Sequence, residues 1–108
     1  MKRYKIGLIA GTYDVFRLRH LSLLSKAKEQ CDHLLVGIYT DEAIVNQTGS
    51  RPLIPFQERR QIVESTRYAD QVIPLYDDDF TALKNQYPFD VIIGDDGQEA
   101  PLSPTITS

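Results

Sequence analysis

At 108 residues, 42% hydrophobic and 25% charged, the chain has the size and composition of one soluble globular domain, with room for one core and none for a second module. A formal net charge of −3 at pH 7 says little about partners, but the basic residues are too sparsely spread for the dense basic face that general nucleic-acid binding requires. No apolar run approaches the roughly 18 residues of a membrane span, and the basic start "MKRYK" leads into only a short apolar run before a glycine, so neither a span nor a secretory leader is expected.

The first element is "YKIGLIA", Tyr4 to Ala10, a β-leaning apolar run closed by Gly11. Next, "HLSLLSKAKEQ" places Leu21, Leu24 and Ala27 on one stripe and Lys26, Lys28 and Glu29 toward water, which is a helical period. Cys31, the single cysteine, reads as a small buried hydrophobe at the end of that helix and fits a reducing cytoplasm. "HLLVGIY", His33 to Tyr39, is a second strand; like the first, it reads as buried on both faces. "IPFQERRQIVESTRY" returns to the helical period through Phe56, Ile62, Val63 and Thr66, with Pro55 suited to the first turn. "QVIPL" is a third strand whose Pro74 suits an edge. Residues 78 to 87 form a short helix; Asp77, Asp78 and Asp79 stand at its start, where the dipole favours acids, a cheaper account than a metal site. "FDVIIG", Phe89 to Gly94, is the fourth strand. The order β-α-β-α-β-α-β predicts an α/β fold, a doubly wound, Rossmann-like parallel sheet in one domain over residues 1–108. Its sequence shows no internal repeat.

In such a sheet, ligands sit beyond the carboxyl ends of the strands where strand order reverses. "GTYDVFRLRH", Gly11 to His20, lies there, with a glycine in the turn, the amides of Thr12 and Tyr13 available, and a helix start near His20. Charge agrees: residues 1 to 69 hold eleven Lys and Arg against seven Asp and Glu, whereas residues 70 to 99 hold only Lys84 against eight acids. An anion is therefore expected at the basic half. The turn is neither a GxxxxGK[ST] loop nor a GxGxxG loop, and "LIAGTYD" lacks the acidic pair of a receiver domain. The six tyrosines are scattered and suit packing better than base stacking.

"GTYDVFRLRHLSLLSKAKEQCDHLLVGIYTDE", "PFQERRQIVESTRYADQVIP" and "FDVIIGDD" together resemble the bacterial cytidylyltransferase family, of the glycerol-3-phosphate cytidylyltransferase type within the nucleotidyltransferase superfamily, over nearly residues 4 to 96. The resemblance implies transfer of a cytidylyl group from CTP, with Mg²⁺ accompanying the nucleotide, to a small polyol phosphate such as glycerol 3-phosphate. It also implies release of pyrophosphate and a cytoplasmic homodimer. Since the acceptor oxygen is already anionic, such a reaction needs fixed cations and N–H donors more than proton transfer.

Carried over by position, Gly11, Thr12, Tyr13 and Asp14 fill the family's first motif as nucleotide-binding residues. The family's HxGH is "RLRH" here, so Arg17 stands at the first histidine, Arg19 at the glycine, and His20 at the second histidine. His20, Arg17 and the helix arginine Arg59 are implied as the catalytic cations and donors around the phosphates. Arg17 can still hold phosphate oxygens through its forked guanidinium, whereas Arg19 can fill space that a glycine leaves open. Arg51 is the basic candidate in "NQTGSRPLIP", where the family has a lysine; Gly94 and Asp95 match the strand end near sugar and base; and Thr105 belongs to a shortened counterpart of the closing RTxGISTT motif. Taken alone, His20 can cap a helix, Asp14 can cap the turn or pair with Arg17 or Arg19, and Arg59 and Arg60 can form a solvated face. A relative that keeps the fold and binds a nucleotide, an anion or a partner chain without turnover is the second expectation, favoured by Arg17, Arg19 and the short C-terminal segment.

Overall fold

The computed structural model describes residues 3–94 and the backbone of 99 and 100. Its elements in chain order are β1 (Tyr4–Gly11), α1 (Leu18–Gln30), β2 (Cys31–Tyr39), α2 (Asp41–Thr48), α3 (Phe56–Glu64), β3 (Gln71–Leu75), α4 (Phe80–Gln86), β4 (Val91–Ile93) and β5 (Glu99–Ala100). The sheet order is β3-β2-β1-β4-β5. β1 pairs in parallel with both β2 and β4, and β2 with β3, as expected for a Rossmann-like fold. The two-residue β5 pairs antiparallel with β4, an edge that a purely parallel expectation left out.

Strand alternation divides the core in two. Ile9, Val36, Ile38, Val72, Val91 and Ile93 face α1 and α3 through Leu24, Ala27 and Val63. Leu8, Leu35, Ile73, Leu75 and Ile92 face α2 and α4 through Ala43, Ile44 and Phe80. The sheet is thus covered on both sides, and its apolar strands are those that a two-faced parallel sheet requires. Cys31 is fully buried where α1 passes directly into β2, and Pro74 lies on the edge strand β3, both as expected.

Two elements differ from expectation. Helix α2 has no counterpart among the expected elements, although Thr40 caps it by accepting from the Ala43 amide and Gly49 ends it in the left-handed region at φ 84°. On α3, Ile62 is 40% exposed, and the inward stripe instead runs Phe56, Arg59, Val63. The three aspartates before α4 are used locally: Asp77 accepts from the Asp79 amide, Asp79 caps the helix at Ala82, and Asp78 accepts from the Tyr39 hydroxyl.

Chain order explains where the sheet opens. The chain runs outward from β1 through β2 to β3, then crosses back to β4 on the other side of β1. Strand order therefore reverses between β1 and β4, and the crevice beyond their carboxyl ends lies between the turn after Gly11 and Gly94.

Asp70 holds the opposite end of β2 in place: its carboxylate accepts from the Leu34 amide at 2.7 Å and from Lys28 Nζ at 2.6 Å. Burial works against its ionisation, but the Lys28 ammonium and the Leu34 amide outweigh it and hold the carboxyl below its ordinary 3.8. A carboxylate depressed in the folded state stabilises the protein above its unfolded pKa, and that contribution is lost as pH falls through the folded value. Asp70→Asn is therefore expected to lower unfolding free energy at pH 7 by about 1 kcal/mol. Urea titrations should show the gap to the wild type closing as pH drops below 3.8; a gap indifferent to pH would contradict this account.

Candidate functional site

The carboxyl end of β1 turns sharply because Tyr13 adopts a left-handed backbone at φ 51°, which a non-glycine residue holds only against a cost on the order of 1 kcal/mol. Its ring is buried and folds back over Gly11, where an added Cβ would stand 3.0 Å from the ring. A side chain at Gly11 would therefore need the tyrosine ring to give by a few tenths of an ångström. Tyr13, Phe16 and His20 form an aromatic cluster, with the His20 ring centroid 5.5 Å from each of the other two.

His20 sits three residues into the N-terminal turn of α1, whose N-cap is Arg17. The Arg17 amide donates to His20 Nδ1 at 3.0 Å, and the His20 amide donates to the Arg17 carbonyl at 2.9 Å, so the two residues close the helix start reciprocally. An imidazole that accepts at Nδ1 carries its neutral-state proton on Nε2, the nitrogen with which it can donate to an anion. Burial, then the charges of Arg19 and Arg17, lower the His20 pKa from its ordinary 6.5, so the ring is neutral at pH 7. The helix-capping role that any lone histidine could play is fulfilled, and it leaves Nε2 for a second task.

Asp14 pairs with neither arginine. Its Oδ2 accepts from the Leu53 amide at 3.0 Å and its Oδ1 from the Ile54 amide at 2.8 Å, so both carboxylate oxygens fasten the loop before α3 to the turn after β1. A carboxylate expected to meet nucleotide is thus engaged within the chain.

Arg59 departs further from expectation. Instead of facing phosphates it is wholly enclosed, 0% exposed. Nε donates to the Ile54 carbonyl at 2.8 Å, Nη1 to the carbonyls of Thr12 and Tyr39 at 2.7 Å each, and Nη2 to Asp41 Oδ1 at 2.6 Å. Its Cζ also lies 5.7 Å from the Phe56 ring centroid. Four of the five N–H groups of a guanidinium are accounted for, which excludes a direct grip on phosphate in this arrangement.

The remaining expected residues separate. Thr12 is exposed at the turn, and Gly94, half-buried, follows Ile93, whose partner on β1 is Ile9. Arg17 and Arg51 are exposed. Arg19 does not lie over the turn; it lines a wide groove of about 730 Å³ on the outer face of α1 with Ser22, Ser25, Lys26 and Tyr68. Asp95 and Thr105 lie outside the described residues. Thr12, Tyr13, Asp14, His20 and Arg59 are therefore brought together around one turn, while Arg17 joins them through its backbone. Sequence reasoning missed Asp41 and Ile54. The "TDE" that opens α2 offered a signal for Asp41, an acid in a first helical turn, whereas Ile54 acts through its peptide group and carries none.

No group of three or more His, Cys, Asp or Glu able to hold a metal occurs among the described residues, and no helix among them is long and apolar enough to cross a membrane.

Residues 8–103 match the family profile described as Cytidylyltransferase-like. Among curated proteins the chain is 40% identical over 65 residues to a glycerol-3-phosphate cytidylyltransferase of Staphylococcus aureus, covering 59% of this chain and 48% of the relative. It is 39% identical over 70 residues to an ethanolamine-phosphate cytidylyltransferase of Arabidopsis thaliana, covering 64% and 17%. To an FAD synthase of Thermococcus kodakarensis it is 35% identical over 72 residues, covering 66% and 48%. The matched stretches span about half or less of these relatives' own length. A solved structure, the lipopolysaccharide core biosynthesis protein of Thermoplasma volcanium, superposes with a TM-score of 0.75 at 21% identity, covering 83% of this chain and 73% of that one; it shows the shared fold.

The environment of His20 leads to a titration. Imidazole nitrogen shifts followed by NMR are expected to give His20 a midpoint below 6.5, raised toward that value by Arg17→Gln or Arg19→Gln. A midpoint above 6.5 in the wild type would refute the electrostatic description.

Proposed function

This chain belongs to the cytidylyltransferase-like family, and on that premise we propose that its β1–α1 turn binds a nucleoside triphosphate and that the protein transfers a nucleotidyl group from it. The acceptor is a small phosphate-bearing alcohol, such as glycerol 3-phosphate. An acceptor phosphate oxygen attacks the α-phosphorus of CTP, the bond from the α-phosphorus to the bridging oxygen breaks, and pyrophosphate leaves. The observation that carries this reading is the placement of the neutral His20 imidazole beside Tyr13, at the start of α1 and at the point where strand order reverses. Here a helix N-terminus and an Nε2–H donor meet the same charge-rich group.

Mg²⁺ enters this reading as part of the substrate, neutralising the triphosphate. The carboxylate of the turn itself, Asp14, has both oxygens engaged by amides and is poorly suited to hold an ion. Arg17 and Arg51, both exposed, are the side chains free to adjust to phosphate oxygens, with Thr12 at the turn and Gly94 on the opposite lip of the crevice. We extend the reading to a cytoplasmic homodimer, as the family resemblance implies.

A second reading, binding without turnover, is favoured by one observation: the backbone of Arg17, at the family's first histidine position, occupies His20 Nδ1, while the exposed Arg17 side chain offers no imidazole in place of the one replaced. The two readings part in a coupled pyrophosphate-release assay with CTP and glycerol 3-phosphate, with ATP as the competing nucleotide. The first expects turnover with CTP and a loss of about a hundred-fold in His20→Ala. CTP binding by calorimetry without pyrophosphate from any phosphate-bearing alcohol tried would leave the second, and no binding of either nucleotide would overturn both.

A further inference from the structure

We propose that Arg59 and Asp14 are positioning residues that set the direction of the Tyr13 amide, and so shape the nucleotide cradle without touching its occupant. The inference rests on the nucleotide-binding reading above for its purpose, but its geometry stands on contacts within the chain.

The peptide joining Thr12 to Tyr13 is trans, since no cis bond occurs among the described residues, so its C=O and N–H point in opposite directions. Arg59 Nη1 draws the Thr12 carbonyl inward, to 2.7 Å from a guanidinium that is 0% exposed. The Tyr13 N–H is therefore turned away from the buried guanidinium. Nη1 also holds the Tyr39 carbonyl at 2.7 Å, and that peptide's other end, the Thr40 N–H, is bonded to the Leu75 carbonyl of β3. The orientation of the turn is thereby referred to the ends of β2 and β3.

Asp14 closes the ring. The Ile54 residue is fastened at both of its polar backbone groups, its N–H by Asp14 Oδ1 at 2.8 Å and its carbonyl by Arg59 Nε at 2.8 Å. The sequence of contacts Thr12 carbonyl, Arg59, Ile54, Asp14 returns to a residue two positions from where it began. Neither end can shift without the other. The loop carrying the exposed Arg51 and Leu53 is moored to the same ring, so its distance from the turn is fixed at Ile54.

Lysine at position 59 keeps the charge but cannot span acceptors placed around a planar fork. Asparagine at 14 keeps one acceptor and presents an N–H₂ group to the second loop amide. The ring is tested with Arg59→Lys and Asp14→Asn, and with Arg60→Gln as a control whose guanidinium pairs only with Glu64 on the surface of α3. Two readouts are taken on the full chain: ¹H–¹⁵N shifts and hydrogen exchange of the Tyr13 and Ile54 amides, and the dissociation constant for Mg²⁺–CTP by calorimetry. Both ring variants are expected to move the Tyr13 amide shift and to speed exchange at Ile54. Each should also weaken Mg²⁺–CTP by about ten-fold or more while Arg60→Gln changes neither. Should Arg59→Lys fail to fold, Asp14→Asn, which removes no buried cation, carries the test. Wild-type amide shifts and exchange at Tyr13 and Ile54 in the folded variants overturn the proposal. If the wild type binds no nucleotide while the variants still move the Tyr13 amide, the nucleotide reading fails and the ring stands.

Discussion

A fully buried guanidinium is the constraint on which the carboxyl edge of this sheet depends. Removing a cation from water costs several kcal/mol even after relaxation, and only near-complete pairing with good geometry offsets it. Arg59 meets that demand with three carbonyls and one carboxylate at 2.6 to 2.8 Å. Those acceptors come from four different segments: the turn after β1, the end of β2, the first turn of α2 and the loop before α3. Because the guanidinium is planar and its donors diverge at fixed angles, the four segments are held relative to one another and not merely near one another. The outward end of α2 is included through Asp41, so a helix on the opposite face of the sheet from α3 is tied to the same point.

This arrangement separates two tasks that a basic residue near a phosphate site can perform. One is to meet the anion; the other is to hold the groups that do. A guanidinium enclosed by three of the chain's own carbonyls and one carboxylate belongs to the second kind, and in the proposed reading the electrostatic work falls to other groups. The N-terminus of α1 supplies a fixed partial positive charge, the His20 imidazole a neutral donor, and Arg17 and Arg51 exposed charge. A neutral histidine suits that mixture. It resists a second proton because burial, then the charges of Arg19 and Arg17, disfavour another cation there, and one nitrogen is already committed to the helix cap.

How far the sequence speaks for itself can be judged from particular stretches. The four parallel strands were legible because each is a compact apolar run, the signature of a strand buried on both faces, set between stretches of helical period. α1 was legible from its helical period, and α4 from the acids at its start. α2 was overlooked: only Ala43 and Ile44 are buried in its eight residues, too few to show a period, although Thr40 and Gly49 mark both of its ends. The general place of the site followed from topology. The duties within it did not, because they depend on which way a polar side chain turns. Arg59 occupies the inward stripe of α3 between Phe56 and Val63, where an apolar residue is the default, and Ile62 was assigned inward in its place. Residue chemistry alone does not distinguish Arg59 from its neighbour Arg60 in "QERRQIV", yet one is enclosed and the other pairs on the surface with Glu64. Asp14 shows the same limit: its partners are backbone amides 39 and 40 residues away, and amides carry no sequence mark.

The two arginines of "RLRH" can be weighed separately on this footing. A side chain at position 19 threatens the turn only if it folds across it, and α1 begins at Leu18, so residue 19 projects according to the helix and not the turn. It lies with Ser22 and Lys26, three and seven residues on, along the outer face, and faces Tyr68. The loss of a glycine there is absorbed by helix geometry. Position 17 is different, because it is the N-cap and its extended backbone at φ −123° and ψ 169° sends the side chain clear of the helix. Its amide is spent on His20 and its guanidinium is left exposed, so whatever charge the replaced imidazole would have contributed is present in larger and less directed form. Of the two substitutions, the one at the helix cap changes the hydrogen bonding of the turn, whereas the one inside the helix lines the surface beside it and acts on the turn through its charge: burial first, then the charges of Arg19 and Arg17, lower the His20 pKa.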